Sequence, residues 1–278
     1  MDILLDTFID TLKLFPFLLV TYLFMEYMEH KTEYKTAELI KKSDKHGPFY
    51  GSLCGVLPQC GFSVVASNFY AARIISIGTL MAIYLSTSDE MLPILISSSA
   101  PVEFIVKIVA YKAVCGMVFG YIINFIWQKY FPKRKIDIEQ LCKNENCHCE
   151  TSIWRPALYH SVKISVFIFA VTLILGYLVS YFNIMILAYY LKMPLVGELV
   201  SGLVGFIPNC SASVILTQLY LENYISATAL VSGTLVNGGV GLLVLFRVNR
   251  HIKENLKIAA LLYGCGIIGG MLYNLVGF

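Results

Sequence analysis

The sequence predicts an all-α, polytopic membrane protein made of two inverted-topology repeats with proline-broken helices. Three observations lead to this prediction. Of the 278 residues, 57% are hydrophobic and only 14% are charged, which is too little charge to cover the surface of a soluble domain. Apolar runs recur along nearly the whole chain. The chain also aligns with itself at a constant offset of 150 residues.

The repeat is clearest around two prolines. The segment Gly55-Val-Leu-Pro58-Gln-Cys aligns with Gly205-Phe-Ile-Pro208-Asn-Cys, and the alignment continues through a tyrosine, an Ile-Ser pair and a Cys-Gly pair in each half. A repeated, proline-broken apolar segment is typical of transporters whose site lies between the two repeats.

Charge placement predicts the orientation of the repeats. Basic residues gather in three connecting segments, which the positive-inside rule places in the cytoplasm: 31–45, 129–155 and 247–257. The acidic N-terminus would then lie outside. Each half would cross an odd number of times, so the two repeats would have opposite orientations in the membrane.

We expect three regions: repeat one over 1–128, a polar cytoplasmic linker over 129–157, and repeat two over 158–278. The two repeats together should contain about ten membrane elements. The second element of each half is broken near its proline, and the segments 74–88 and 91–100 are so short that we expect half-helices or re-entrant hairpins there. The predicted elements are 9–29, 48–72, 74–88, 91–100, 103–128, 158–181, 196–221, 224–237, 239–248 and 257–277.

The residues after the two prolines are the first candidate site. Proline interrupts a helix and frees carbonyl groups for a ligand. A carboxamide and a thiol follow each proline, as Gln59-Cys60 and Asn209-Cys210. Paired thiols would suit a soft metal or trivalent arsenic, although buried cysteine is also a common apolar filler.

An acidic motif between two apolar runs is the second candidate site. It reads Thr87-Ser88-Asp89-Glu90, and charge at membrane depth indicates function. Thr87 and Glu90 also have capping-box spacing. The acids align with Gly239-Val240, so half two lacks them, while Asn237 could add an amide ligand. The acid pair could bind a cation or carry coupling protons.

Two further groups are weaker candidates. Glu26, near the inner end of the first helix, could serve proton coupling, although a solvated helix end explains it equally well. Four soft ligands lie in the linker: Cys142, Cys147, His148 and Cys149. They could form an accessory cytoplasmic metal loop, but their spacing is not that of a zinc finger and they could simply be reduced thiols.

Several of these strings resemble one family, the ten-transmembrane heavy-metal exporters, a group that includes arsenic-efflux-like and manganese transporters. A more distant similarity is to the organoarsenical permeases. The strings are Pro58-Gln-Cys-Gly-Phe-Ser, Thr87-Ser-Asp-Glu-Met-Leu-Pro, Pro208-Asn-Cys-Ser-Ala-Ser and Gly241-Leu-Leu-Val-Leu-Phe-Arg-Val-Asn. The resemblance covers nearly the whole chain and implies export of a metal or metalloid.

The sequence therefore predicts a secondary transporter of the bacterial inner membrane that exports a metal cation or metalloid by proton-coupled alternating access. The alternative is a transporter of a small organic solute or anion, in which the acid pair serves protons only. No phosphate-binding loop and no catalytic motif is present, so we expect no enzyme and no nucleic-acid partner. We expect the bilayer as partner and the metal as substrate rather than cofactor, and homo-oligomerisation stays open.

Overall fold

The computed structural model describes residues 2–31, 46–57, 61–88, 90–130, 154–180, 193 and 195–275, and this part of the chain is helical without strands. Among the described residues, six helices lie in the first half and six in the second. The first six are α1 (Asp2–Lys31), α2 (Gly47–Gly55), α3 (Gly61–Ala71), α4 (Ile77–Ser86), α5 (Met91–Ser97) and α6 (Val102–Tyr130). The others are α7 (Trp154–Ser180), α8 (Val196–Gly205), α9 (Cys210–Leu221), α10 (Ala227–Val236), α11 (Val240–Val248) and α12 (Ile252–Leu275).

The second six helices follow the first six at the offset found in the sequence. Helix α4 begins at Ile77 and ends at Ser86, and α10 begins at Ala227 and ends at Val236, 150 residues later at both ends. The other pairs agree to within a few residues at each end, except that the described part of α12 ends at Leu275. The elements predicted at 48–72 and 196–221 are each two helices, which accounts for twelve helices in place of ten elements.

The turn before each central helix is the same in both halves. Arg73 and Asn223 both have positive φ, 61° and 60°, and each lies two residues after the end of the preceding helix. Three residues later, Ser76 and Ser226 cap the next helix by accepting a hydrogen bond from the backbone N–H of Thr79 and of Ala229, respectively. Serine is a favoured N-cap because its hydroxyl satisfies an otherwise unpaired helix N–H. The two halves therefore use the same local device at equivalent positions.

Helices α2 and α3 fold back on each other as a hairpin. Gly51 lies against Thr79 and Gly55 lies against Ser86, so α2 runs parallel to α4. Helix α3 ends near the start of α4, because only a short turn separates Ala71 from Ile77. It must therefore run in the opposite direction to α2. The prediction of a single broken helix over 48–72 was wrong in this respect, since the chain reverses at the break.

Helix α5 continues onward from the end of α4 after a short non-helical break. Gly78 lies against Gly120 and Ser86 lies against Gly116, so α6 is antiparallel to α4. Helix α6 begins at Val102, fourteen residues before Gly116 and about 20 Å farther along its axis. The loop and α5 must cover that distance, so α5 leads away from the end of α4. In the second half, Gly270 lies against Ser232 and Gly266 against Val236, which repeats the arrangement.

Glycine permits these close helix contacts. A Cβ atom on Gly205 would come within 2.0 Å of the Gly233 carbonyl oxygen, and one on Gly78 would come within 2.4 Å of the Gly120 oxygen. Membrane helices associate through small residues, since apolar side chains gain little by leaving lipid for a neighbouring helix.

The distribution of polar and apolar residues is that of a membrane protein. All ten residues of α4 are buried, while the outer face of α6 exposes Val118, Ile122 and Phe125, the last at 75%. Three described stretches are long and apolar enough to cross a membrane by length and composition: Ala157–Ile174, Ala227–Val248 and Ile252–Leu275. The middle stretch comprises α10 and α11 together, so two half-length helices jointly reach the length of one crossing.

Candidate functional site

The C-terminal ends of the two central helices, α4 and α10, meet at one buried side chain. Lys112, in α6, has no solvent exposure. Its Nζ atom donates hydrogen bonds to the carbonyl oxygen of Thr87, which follows α4, and to that of Thr234 in the last turn of α10, the second at 2.9 Å. One ammonium group thus joins equivalent ends of the two halves.

The electrostatics of this junction favour a cation. The last carbonyls of a helix have no intrahelical donor, and the helix dipole places partial negative charge there. Two such ends, from α4 and α10, point at one place. A buried ammonium is costly unless its protons are hydrogen-bonded, and Lys112 meets that need with the two carbonyls.

The acidic motif begins at this junction. Thr87 and Ser88 are 3% and 1% exposed. The Thr87 hydroxyl donates to the Ile83 carbonyl at 2.7 Å, so it closes α4 rather than opening α5. Glu90 is the N-cap residue of α5 and makes no side-chain capping bond. The capping-box interpretation was therefore wrong, because the threonine hydroxyl is used by the preceding helix.

Asn237 occupies the corresponding place after α10. It is 2% exposed, and its Oδ1 accepts a hydrogen bond from the backbone N–H of Gly239 at 3.0 Å. Gly239 has φ of 57°, a backbone conformation that glycine adopts without strain. A Cβ atom on Gly238 would lie 3.4 Å from the Tyr84 ring and from Leu262, which is an ordinary van der Waals distance. The chain after α10 thus passes beside α4 and α12.

The breaks between α2 and α3 and between α8 and α9 lie beside the C-terminal parts of α4 and α10, respectively. Gly55 contacts Ser86, and Gly205 contacts Gly233, each at the last residue of its helix before the break. Asn209 is 9% exposed and caps α9, with Oδ1 accepting from the Ser211 N–H at 3.3 Å. The amide predicted as a ligand is therefore also a helix cap.

A hydrogen-bond network ties the two halves together beside the junction. The Ser67 hydroxyl lies 2.7 Å from the Tyr84 hydroxyl and donates to the Gly241 carbonyl at 2.7 Å. Ser67 is in α3, Tyr84 in α4 and Gly241 in α11, and Ser67 and Tyr84 have no solvent exposure. The network holds the helix after the second break against the first hairpin.

Of the predicted site residues, Thr87, Ser88 and Asn237 lie around the helix ends that Lys112 joins, Glu90 is half-buried, and Asn209 caps α9. The remaining predicted residues fall outside the part of the chain that the structure describes. These are Gln59, Cys60, Asp89, Cys142, Cys147, His148 and Cys149, together with the side chains of Glu26 and Cys210.

Sequence reasoning missed two buried charged residues. Lys112 stands alone in the apolar run from Ile108 to Gly120, and an isolated charge in such a run was the available signal. Glu198, in the first turn of α8, is 7% exposed, and its Oε1 accepts from the Thr228 hydroxyl at 2.5 Å. Its Oε2 is buried without a hydrogen-bond partner among the described residues.

At the junction, two backbone carbonyl oxygens accept hydrogen bonds from Lys112, and carbonyl oxygens are ligands that suit hard divalent cations. Within the described ranges, no three His, Cys, Asp or Glu side chains are grouped so as to hold a metal ion.

One comparison identifies the family. Residues 1–177 match the model of the family described as "Putative, 10TM heavy-metal exporter". The match covers more than half of the chain, so the chain belongs to this family of membrane exporters, as its sequence motifs predicted. No curated protein and no solved structure matches it. Membership makes it a membrane protein of the transporter class.

Proposed function

We propose that the protein is a secondary transporter that exports a metal cation across the bacterial inner membrane by proton-coupled alternating access. One observation carries the proposal. The ends of two half-length helices, α4 and α10, converge on the Lys112 ammonium in the buried centre of the molecule. Interrupted helices whose carbonyl ends meet at the bilayer midplane are how secondary transporters form cation sites.

Helix directions support opposite orientations of the two halves. Helix α6 is antiparallel to α4, and α12 is antiparallel to α10. Between the halves, Tyr111 of α6 contacts Tyr273 and Gly269 of α12, and Cys115 and Phe119, which come later in α6, lie beside Gly269, as expected for antiparallel helices. If α6 and α12 are antiparallel, then α4 and α10 approach the centre from opposite sides.

Alternating access follows from such an arrangement. Two halves of similar structure and opposite orientation can exchange conformations, and the exchange would expose the central site first to one side and then to the other. The basic residues around the turn from α11 to α12, among them Arg247 and Arg250, favour a cytoplasmic position for that turn by the positive-inside rule, and the N-terminus would then lie outside.

The oxygen donors at the junction favour a hard divalent cation such as Mn(II) as cargo. The cysteines that follow the hairpin prolines would instead favour arsenite or a soft cation. Replacing Cys60 and Cys210 with serine separates these cargoes, because transport of a thiol-bound cargo would be lost while Mn(II) transport would survive. We propose Asp89 and Glu90 as cation or proton ligands at the same junction.

A flux measurement in sealed everted vesicles tests the proposal. Wild type and Asp89→Asn would be compared with and without a proton gradient, using Mn(II), Zn(II), arsenite, a methylated arsenical and several organic acids. We expect gradient-driven accumulation of one metal or metalloid, lost in the variant. Accumulation of an organic acid alone would contradict the metal proposal and support the organic-solute alternative. Lys107→Gln, an exposed change in α6, is the matched control.

A further inference from the structure

Two cysteines occupy equivalent positions in the two halves of the chain. Cys115 lies in α6 and Cys265 lies in α12, at the 150-residue offset of the repeat. Each is followed by a glycine that packs against the last residue of a central helix, Ser86 of α4 and Val236 of α10, respectively. Both cysteines are therefore level with the helix ends that meet in the centre of the molecule.

The two thiols adjoin the same interface between α6 and α12. A Cβ atom on Gly269 would lie 3.8 Å from the Cys115 Sγ atom. Gly269 follows Cys265 by one helical turn, and residues four apart share a helix face with Cβ atoms about 5–6 Å apart. The Tyr111 hydroxyl, one turn before Cys115, donates to the Gly269 carbonyl. Cys115 and Cys265 are also close enough to interact electrostatically.

One metal ion can join the two sulfur atoms. A metal–thiolate bond is about 2.3 Å long, so an ion can bridge sulfur atoms up to about 4.6 Å apart. The Cys115 sulfur already lies beside position 269, and a cysteine has one side-chain torsion, which can turn the Cys265 sulfur toward that position. Cys115 is 7% exposed and Cys265 is half-buried. The site is therefore largely shielded, and an ion would reach it past Cys265.

The donor atoms and a neighbouring charge favour a soft monovalent ion. Thiolates select soft ions such as Cu(I), for which two sulfur ligands form a complete coordination shell. The ion replaces the two thiol protons, which pass to the solvent, so a Cu(I) dithiolate carries one negative charge. The Lys112 ammonium belongs to the same helix, one turn before Cys115, and opposite charges at such a separation attract each other.

We propose that Cys115 and Cys265 bind a soft monovalent metal ion of the Cu(I) type. The bound ion joins α6 of the first half to α12 of the second half. The site uses sulfur atoms rather than the carbonyl oxygens of Thr87 and Thr234, and binding there does not depend on transport. The competing explanation is packing alone, since buried cysteine also serves as a small apolar side chain.

The experiment measures Cu(I) binding by the purified full-length protein in oxygen-free detergent solution, in competition with the coloured chelator bathocuproine disulfonate. The parent variant keeps Cys115 and Cys265 and has serine in place of the other cysteines: Cys54, Cys60, Cys142, Cys147, Cys149 and Cys210. We expect the parent variant to take about one Cu(I) per chain from the chelator. Serine at either remaining cysteine should weaken binding at least about 100-fold, because a second sulfur held in place acts at a high effective concentration.

The matched control moves one thiol along the same helix. Cys115→Ser combined with Val118→Cys in the parent variant keeps two thiols, but one of them then lies on the outer face of α6, where residue 118 is 47% exposed. We expect this control to bind Cu(I) as weakly as the variants with a single thiol. Equal binding by the parent variant and the control would overturn the inference, because any two thiols would then suffice. Elution and melting temperature report whether each variant is folded.

The wild type supplies a second readout that needs no variant. Dibromobimane joins two neighbouring thiols, each of which displaces one bromide, and peptide mass mapping identifies the joined residues. We expect a link between Cys115 and Cys265 that becomes weaker when Cu(I) is bound first. Absence of this link would overturn the inference, as would failure of the folded parent variant to take Cu(I) from the chelator. Loss of gradient-driven flux in everted vesicles would instead contradict the proposed function and would leave the Cu(I) site intact.

Discussion

Arg73 and Glu254 form a two-point ion pair that joins the two halves of the chain, with Nη1–Oε1 and Nη2–Oε2 separations of 2.5 and 3.0 Å. Arg73 lies in the turn before α4, and Glu254 lies in the first turn of α12. The Tyr70 hydroxyl donates to the same carboxylate.

The equivalent positions are also in contact but use different chemistry. Tyr220 corresponds to Tyr70 and Phe104 to Glu254, and their rings stack with centroids 5.1 Å apart. One contact between the halves is thus a charged cluster, and the equivalent contact is an aromatic pair. Exchange of conformations between the halves would require these two contacts to open in turn.

The ion pair should contribute measurably to stability. Both side chains are largely buried, at 13% and 11% exposure, and the two-point geometry is favourable. We expect Arg73→Gln and Glu254→Gln each to destabilise the protein by roughly 2–4 kcal/mol, since each leaves a partly buried charge unpaired. A double-mutant cycle by denaturant unfolding checks this. Strictly additive effects of the two substitutions would show that the pair is not coupled.

Helices α8 and α10 pack so closely at Gly205 that a methyl group there should destabilise the protein. A Cβ atom there would lie 2.0 Å from the Gly233 carbonyl oxygen, which is backbone and cannot rotate away. We expect Gly205→Ala to cost at least about 2 kcal/mol, as overpacking does. The matched control is Gly264→Ala in α12, where a Cβ atom meets nothing within 4 Å. That change should be neutral or stabilising by up to about 1 kcal/mol, because alanine favours helix. Equal melting temperatures for the two variants would contradict the packing.

The Ser67–Tyr84 hydrogen bond should hold α3 against α4. Tyr84→Phe removes the phenolic hydroxyl and leaves the ring in place, so we expect a loss of about 1 kcal/mol. Tyr121→Phe, at a position exposed on the outer face of α6, should change little. Thermal unfolding of both variants in the same detergent compares them, and an unchanged melting temperature for Tyr84→Phe would contradict the role of this bond.

The two serine caps should contribute equally to the stability of the protein. Ser76→Ala and Ser226→Ala each leave a helix N–H without its side-chain acceptor, and a lost cap typically costs about 1 kcal/mol. Similar shifts in melting temperature are expected from both variants, and the double variant should show their sum. A large shift in melting temperature at one serine and none at the other would contradict the prediction, because the two turns would then contribute unequally to stability.

Much of the helix pattern could be predicted from the sequence, because corresponding helices of the two repeats begin and end at aligned positions. Gly55-x2-Pro58 and Gly205-x2-Pro208 marked both breaks. The reversal of direction at the breaks could not be predicted, since proline ends a helix without fixing where the chain goes next. An apolar segment also gives no directional signal. The hairpin follows instead from tertiary contacts such as Gly55 with Ser86.

The site could be predicted in part. Thr87, Ser88 and Asn237 were found because polar residues in apolar surroundings are conspicuous. Lys112 was missed because it is a single polar residue in an apolar run, whereas Thr87 and Ser88 belong to a polar motif of four residues. Its two carbonyl partners are backbone atoms from residues 25 and 122 positions away, and no side-chain pattern encodes them.

The most direct test of the central claim is accessibility of the junction from both sides of the membrane. Ser88→Cys, at a site only 1% exposed, would be the single thiol in a variant lacking the eight native cysteines. Right-side-out and everted vesicles would be treated with a membrane-impermeant thiol reagent, with and without the transported cation. Alternating access predicts labelling from either side and slower labelling when the cation is present. Labelling from one side only, or from neither, and no protection by the cation, would contradict a transport site where α4 and α10 meet.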